Sequence, residues 1–263
     1  DLEAISKEAK AFKVPFIVDN TVPSPYLLNP IEHGANIVIH SLTKYIAGNG
    51  TSLGGAVIDA GTFDWSSGKF PEFTEPSEAY HGLVYHEALG NAAFIAKVRI
   101  EGLRDFGAAL SPFNAFQIIQ GLETLQVRVQ KHSENALALA QWLEKQDAVA
   151  WVNYPGLKSS KYHDLATQYL PKGQNGLLTF GLKNGFEAAK KVADETKLFS
   201  LLANIGDTKS LIIHPASTTH QQLSDADQVA TGVTKDLIRL SVGLEDIEDM
   251  KANLQSVFEN LKV

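Results

Sequence analysis

The sequence predicts an α/β fold, in which a unit with a parallel-rich sheet precedes a second unit of the α+β or α/β class. Helical and strand patterns alternate from the first residues, as in sheets with helical crossovers. A short β-branched run in the first half is typical of a strand buried on both faces. Strands and helices alternate again in the second half. We place the domain boundary near residue 130, which divides the chain into residues 1–130 and 131–263.

The first elements are predicted in the order helix, strand and strand. Apolar residues of Leu2–Ala11 recur at helical spacing, and Pro15–Asn20 is an apolar strand that ends with an acid. Ile37–Ile39 is the buried strand, and Gly55–Asp59 is a third strand. Residues 46–55 contain too many glycines for a helix and are predicted to form an active-site loop.

Later elements include two long helices and the alternating strands and helices of the small domain. The helix that follows Pro112 is predicted to extend through Gly121 to Lys145 and to bridge the two domains. The other elements are a helix at 87–104, strands at 149–152 and 177–182, a helix at 187–198, strands at 210–214 and 237–242, and a helix from Ile247.

The composition excludes several classes of function. The net charge is −7 and lysine and arginine are not clustered, which argues against nucleic-acid binding. Because the chain has no cysteine, it has neither disulfides nor thiolate metal ligands. It has no run of about 18 apolar residues, so we expect no membrane partner, and the composition fits a cytoplasmic protein.

An acid and an amine stand at the ends of two strands that are predicted to be neighbours. Asp19 ends the first strand, and Lys44 follows the second by one short turn. Ligands of open α/β sheets bind outside the carboxyl ends of the strands. Taken singly, a strand-end aspartate often caps a turn and a lysine is usually solvated. Together they predict a pyridoxal phosphate site, in which Lys44 is the catalytic Schiff-base residue and Asp19 bonds the pyridine nitrogen.

Hydroxyl side chains flank the same lysine. Ser41 and Thr43 are suitable donors to the cofactor phosphate, although either residue alone could instead close a turn. Thr21 is a further candidate, placed against a face of the cofactor, but a loop hydroxyl needs no such role.

Arg239 lies inside an apolar strand near the end of the sequence. A buried cation needs an anion, and the planar guanidinium suits a carboxylate bound through two hydrogen bonds. The anion is either an internal aspartate or glutamate or the α-carboxylate of a substrate. His40, His214 and His220 are not spaced as metal ligands, so we predict no metal site.

The candidate residues fall within seven stretches distributed in order along nearly the whole chain. The stretches are Val18–Thr21, His40–Tyr45, Leu110–Phe113, Gly121–Leu125, Tyr154–Leu157, Ser210–His220 and Arg239–Gly243. Together they resemble the Cys/Met-metabolism enzymes of pyridoxal phosphate fold type I. The resemblance implies a type I transferase fold, with a partial large domain and a C-terminal small domain, and pyridoxal phosphate as cofactor.

Within that family the chain is most similar to enzymes of methionine biosynthesis that replace the γ-acetoxy group of O-acetylhomoserine by sulfide. The segments Tyr80–Leu83 and Leu202–Asp207 carry this similarity. It implies that the region of Asn204 contributes backbone contacts to the substrate carboxylate beside Arg239. Two alternatives stay open: a cystathionine γ-synthase or a methionine or cystathionine γ-lyase that uses the same residues, and an inactive fragment that binds anions or forms oligomers.

The resemblance also implies which partners the chain needs. Family members have an N-terminal portion that completes the cofactor site, and Asp1–Phe12 already has the pattern of a helix inside a domain. We therefore expect the chain to be the C-terminal portion of a longer protein and to need that N-terminal segment. The other expected partners are an amino-acid substrate, sulfide, and copies of the chain in a homotetrameric dimer of dimers.

Overall fold

The architecture is that of a computed structural model, and the structure describes residues 1–261. The helices are α1 Leu2–Ala11, α2 Ser24–Leu27, α3 Pro71–Thr74, α4 Tyr85–Leu89, α5 Ala93–Lys97, α6 Arg104–Phe106, α7 Pro112–Glu123, α8 Leu125–Leu143, α9 His163–Tyr169, α10 Gly185–Glu195, α11 Asp225–Ala230 and α12 Ile247–Phe258. The strands are β1 Ile17–Asp19, β2 Ile37–Ser41, β3 Gly55–Asp59, β4 Val149–Asn153, β5 Leu177–Leu182, β6 Ser200–Leu201, β7 Leu211–Ile213 and β8 Leu237–Ser241.

The chain divides into two compact units, each of which is discontinuous in sequence. The predicted domain boundary near residue 130 stays a prediction. None of the helices within residues 1–261 is long and apolar enough to cross a membrane. The first unit contains Asp1–Thr21, Leu28–Leu42 and Leu53–Ile118, and the second contains Val22–Leu27, Thr43–Ser52 and the chain from Ile119 onward.

The sheet of the first unit has the strand order β1-β2-β3. β1 and β2 are parallel, as predicted, whereas β3 runs antiparallel to β2. The start of β2 is covered on both faces, because Ile37 and Val38 belong to two different buried clusters, that of Trp65 and that of Phe16. Ile39 is 38% exposed, so the predicted burial holds for the first two residues of the strand.

Two predicted helices are interrupted. The prediction of a single helix at 87–104 is wrong. Gly90, with φ +52°, ends α4, and farther along the backbone forms a π-helix at Val98–Leu103. The helix expected from Pro112 to Lys145 is also two helices, which meet at Thr124. There the carbonyl of Gly121 accepts hydrogen bonds from the backbone N–H of Thr124 and from a side chain of α8, which ends the regular helix.

The second unit is an α+β structure, as predicted. Its sheet has the order β4-β5-β8-β7-β6, and all neighbouring pairs are antiparallel except β6 and β7. Helices α8, α10 and α12 pack against this sheet and enclose a large core. Core side chains that are fully buried include Leu139, Leu143, Phe180, Val192, Ile238 and Leu254. β8 therefore lies at the centre of a well-packed sheet, where its side chains have fixed directions.

Candidate active site

The carboxyl ends of β1 and β2 bring three of the predicted site residues together. The backbone N–H of Thr21 donates to Oδ1 of Asp19 at 3.0 Å, and the backbone N–H of Ser41 donates to Oγ1 of Thr21 at 2.7 Å. Asn20 continues the pairing of the parallel strands through its N–H to the carbonyl of Ile39. Asp19 is exposed, so its carboxylate is available to a ligand. This end of the first unit offers an acid beside hydroxyl groups.

Lys44 lies in the loop that belongs to the second unit. Its amine is half-buried, and Nζ donates to Oδ1 of Asn204 at 2.5 Å. No ion pair found within residues 1–261 includes Lys44. The partner of this amine is therefore a neutral amide oxygen.

Arg239 faces the same asparagine. It lies in the middle of β8 and is half-buried, and its guanidinium donates to the backbone carbonyl of Asn204 at 3.3 Å. Burial lowers the pKa of Arg239, and the nearby Tyr45 raises it. The internal acid that we considered as its partner is absent from the ion pairs of the described chain. Its planar donors therefore suit an external carboxylate.

Tyr45 anchors the start of the lysine loop in the core of the second unit. Its ring is fully buried, and burial raises the pKa of its phenol to about 12. Gly206 packs so closely on this ring that a Cβ would lie 2.7 Å from it, and φ of Gly206 is +73°. The N–H of Gly206 also donates to Oγ of Ser241, which ties the Asn204 loop to the end of β8.

Arg128 is a residue near the lysine loop that the sequence interpretation missed. Its buried guanidinium donates to the carbonyls of Tyr45 and Ile46, which directly follow Lys44. A signal was present in the sequence, because Arg128 lies on the buried face of α8 between Leu125 and His132. A charged residue on the apolar face of a helix usually has a specific partner.

The structure thus groups the predicted site residues within each unit. Asp19, Thr21 and Ser41 lie together in the first unit, and Lys44 and Asn204 lie with Arg239 in the second. Thr43 directly precedes Lys44 in the second unit. The roles of these residues stay predictions. Within residues 1–261, no group of three or more His, Asp or Glu side chains could hold a metal ion.

His132 makes the second unit sensitive to acid. Its Nδ1 contacts the carbonyl of Val242 at 2.6 Å, and burial lowers its pKa to about 4 from the ordinary 6.5. Between these two values the unfolded chain binds a proton that the folded chain does not bind. The free energy of unfolding should therefore fall by about 2 kcal/mol between pH 7 and pH 5.

Urea unfolding at the two pH values measures this loss. His132→Asn retains a donor for Val242 but does not titrate, so its unfolding free energy should change less between pH 7 and pH 5. Equal pH dependence of the wild type and the variant would show that His132 is not the group responsible.

A family model described as Cys/Met metabolism PLP-dependent enzyme matches residues 1–259. The chain is 53% identical to an O-acetyl-L-homoserine sulfhydrylase of Leptospira meyeri over 99% of its length. It is 52% identical to O-acetyl-L-homoserine sulfhydrylase 1 of Thermus thermophilus over 97% and 50% identical to a homocysteine synthase of Schizosaccharomyces pombe over 98%. In each case it spans 61% of the relative's length.

A solved structure agrees with these sequence matches. A crystal structure of a protein described as an O-acetylhomoserine (thiol)-lyase from Campylobacter jejuni has a TM-score of 0.93 and 46% identity to the chain. The match covers 98% of this chain and 62% of the other, which contains an N′-pyridoxyl-lysine-5′-monophosphate. The predicted family and fold class are confirmed.

Proposed function

The chain belongs to the Cys/Met metabolism PLP-dependent enzymes, and on that basis we propose that it makes homocysteine by replacing the acetoxy group of O-acetylhomoserine with sulfide. The names of the relatives, sulfhydrylases and homocysteine synthases, support this reaction. The structural observation that supports it most is that Asn204 contacts both the amine of Lys44 and the guanidinium of Arg239. A reactive amine beside a carboxylate-binding group is what an amino-acid substrate needs.

The residues present fit pyridoxal phosphate. A lysine that binds the cofactor covalently needs an accessible amine, and Nζ of Lys44 contacts a neutral amide oxygen without forming an ion pair in the described chain. The protonated pyridine nitrogen requires an available carboxylate, and Asp19 is exposed. We assign covalent attachment to Lys44, the ring nitrogen to Asp19, the phosphate to the hydroxyls of Ser41 and Thr43, and a face of the ring to Thr21.

Each side chain then has a distinct task in the reaction. When bound, the cofactor supplies an electron sink that acidifies the substrate Cα–H bond. Nζ of Lys44 would take the Cα proton, give it up, and as a free amine again take a proton from Cβ, so that acetate could leave from Cγ. After hydrogen sulfide has added at Cγ, the protons would return to Cβ and Cα. Arg239 holds the α-carboxylate, and this keeps the Cα–H bond in one direction. Asp19 keeps the proton on the ring nitrogen in place.

An assay of the full-length protein with O-acetylhomoserine and sulfide tests the proposed reaction. We expect homocysteine and acetate in equal amounts, and little acetate without sulfide. Cystathionine made from added cysteine would indicate a synthase, and 2-oxobutyrate and ammonia formed without sulfide would indicate a γ-lyase. If none of these products forms under any of the conditions, the protein binds ligands without catalysing a reaction.

We also propose that the protein acts in the cytoplasm as a homo-oligomer, a dimer of dimers, together with the additional segment that its relatives possess. Helix α7 supports an association surface, because it exposes several large apolar side chains. These are Phe113 at 66%, Phe116 at 58%, Ile119 at 56% and Leu122 at 49%. A monomer in sedimentation velocity of the full-length protein would contradict the oligomer.

A further inference from the structure

Arg128 is a buried cation to which the proposed reaction gives no role. Its side chain is 7% exposed, and no described ion pair provides it with a carboxylate. Burial lowers the pKa of the guanidinium, which shows that the position is unfavourable for a charge. A buried cation without an acid is costly and is kept only where its hydrogen bonds serve a purpose.

The partners of Arg128 are backbone carbonyls around the lysine loop. Nη1 donates to the carbonyl of Tyr45 at 2.7 Å, and Nη2 donates to the carbonyl of Ile46 at 3.0 Å. Nη2 also donates to the carbonyl of Gly121 at 2.6 Å, and Nε donates to Oγ1 of Thr124 at 3.0 Å. One guanidinium therefore joins the two residues after Lys44 to the junction of α7 and α8.

Backbone hydrogen bonds also hold the lysine loop in one conformation. The carbonyl of Lys44 accepts from the N–H of Gly48 at 2.8 Å, and the carbonyl of Gly48 accepts from the N–H of Thr208 at 2.8 Å. With the two bonds from Arg128, the carbonyls of residues 44, 45, 46 and 48 all have defined partners. The direction of the peptide groups beside Lys44 is thus set by contacts from other parts of the second unit.

Glycines leave the space that the guanidinium occupies. A Cβ at Gly48 would lie 2.3 Å from Nη1 of Arg128, and φ of Gly48 is +78°. A Cβ at Gly121 would lie 2.3 Å from the carbonyl oxygen of Ala47. A side chain at Gly48 would therefore displace the guanidinium, and one at Gly121 would displace the backbone of the loop.

We propose that Arg128 is the positioning residue that fixes the backbone of the lysine loop and thereby aims Nζ of Lys44 at Asn204. This inference rests on the proposed function, because it takes Lys44 to be the cofactor-binding lysine. Arg128 acts through the backbone of residues 45 and 46. A lysine at this position has the charge but not the two parallel donors, so it cannot replace the guanidinium.

Arg128→Ala and Arg128→Lys in the full-length protein test this role. Turnover is measured on one portion of each sample. Borohydride reduction of a second portion counts the protein molecules that carry a pyridoxyl group on Lys44, which gives kcat per labelled site. We expect kcat per labelled site to fall at least about 10-fold in both variants, with KM for O-acetylhomoserine within about threefold of wild type. Wild-type kcat per labelled site in both variants would overturn the proposal.

Guanidinium ion provides the second readout. At concentrations far below those that unfold proteins, guanidinium chloride should raise kcat per labelled site of Arg128→Ala several-fold, and equal sodium chloride should not. A purely structural loss would lower the number of labelled sites but leave kcat per site unchanged. Arg99→Ala removes an exposed arginine and serves as the matched control.

Thr124→Val covers the case in which neither Arg128 variant folds. It removes the acceptor of Nε and retains the shape of the side chain. Its kcat per labelled site should fall about threefold, and an unchanged value would overturn the proposal. If the wild-type protein carries no pyridoxyl group on Lys44, the proposed function fails; if it carries one and the variants behave as wild type, only the role of Arg128 fails.

Discussion

Replacement of Lys44 by alanine is expected to lower turnover of O-acetylhomoserine by a factor on the order of 10³ or more. In the proposed mechanism the amine is both the covalent attachment point and the base that moves the Cα and Cβ protons, so no other group can compensate for its loss. Some cofactor should remain bound through Asp19 and the hydroxyls near it. Turnover is measured as homocysteine formed per protein molecule, and bound cofactor is measured after release from the protein.

Lys44→Arg separates the charge of Lys44 from its chemistry. A guanidinium can donate to the amide oxygen of Asn204 but stays protonated near neutral pH, so it neither binds the cofactor covalently nor accepts a proton. We expect it to be as inactive as Lys44→Ala. Lys7→Ala, which removes an exposed lysine of α1, should retain wild-type turnover. Normal turnover of either Lys44 variant contradicts the assignment.

Arg239→Ala is expected to lower kcat/KM by a factor on the order of 10², mainly through a higher KM for O-acetylhomoserine. The half-buried guanidinium has no carboxylate partner in the described chain, so its strongest interaction is available to a ligand. Arg239→Lys retains a single point charge and should lie between the wild type and alanine. Initial rates at varied substrate concentration measure both constants.

A substrate analogue shows whether the lost interaction is with the α-carboxylate. With the α-carboxamide of O-acetylhomoserine, the wild type should lose most of the advantage that Arg239 provides, and Arg239→Ala should lose little more. If the carboxamide lowered kcat/KM of Arg239→Ala by the same factor as that of the wild type, the α-carboxylate would contact a group other than Arg239. Unchanged KM and kcat in Arg239→Ala would exclude it from substrate binding.

Local patterns were sufficient to predict the elements that are set by local forces. α1 and the parallel pair β1 and β2 follow from apolar periodicity and from β-branched residues, and the strands of the second unit follow in the same way. The antiparallel direction of β3 could not be predicted, because the path of a long glycine-rich loop decides it.

Tertiary contacts account for the helix breaks that periodicity did not reveal. At Thr124 the apolar pattern continues, but Arg128 and Thr124 bind the carbonyl of Gly121 that a regular helix would use. The same guanidinium also binds the carbonyls of Tyr45 and Ile46, which lie far from α8 in the sequence. A pattern that is confined to the helix itself contains no information about such a partner.

The candidate site was predictable only in part for the same reason. Asp19, Ser41 and Lys44 could be found because they lie at or just beyond the carboxyl ends of strands, where ligands of such sheets bind. Asn204 is 160 residues from Lys44, and the resemblance to the family indicated its backbone rather than its side chain. The structure shows that the amide oxygen holds the lysine while the backbone carbonyl holds Arg239.

Borohydride reduction of the full-length protein loaded with pyridoxal phosphate, followed by peptide mass spectrometry, tests the identity of the cofactor lysine most directly. The result expected is loss of the visible absorption band and a stable pyridoxyl group on the peptide that contains Lys44. Lys44→Ala should show neither the band nor the modified peptide. A pyridoxyl group on another lysine, or on none, in the wild-type protein would contradict Lys44 as the covalent anchor.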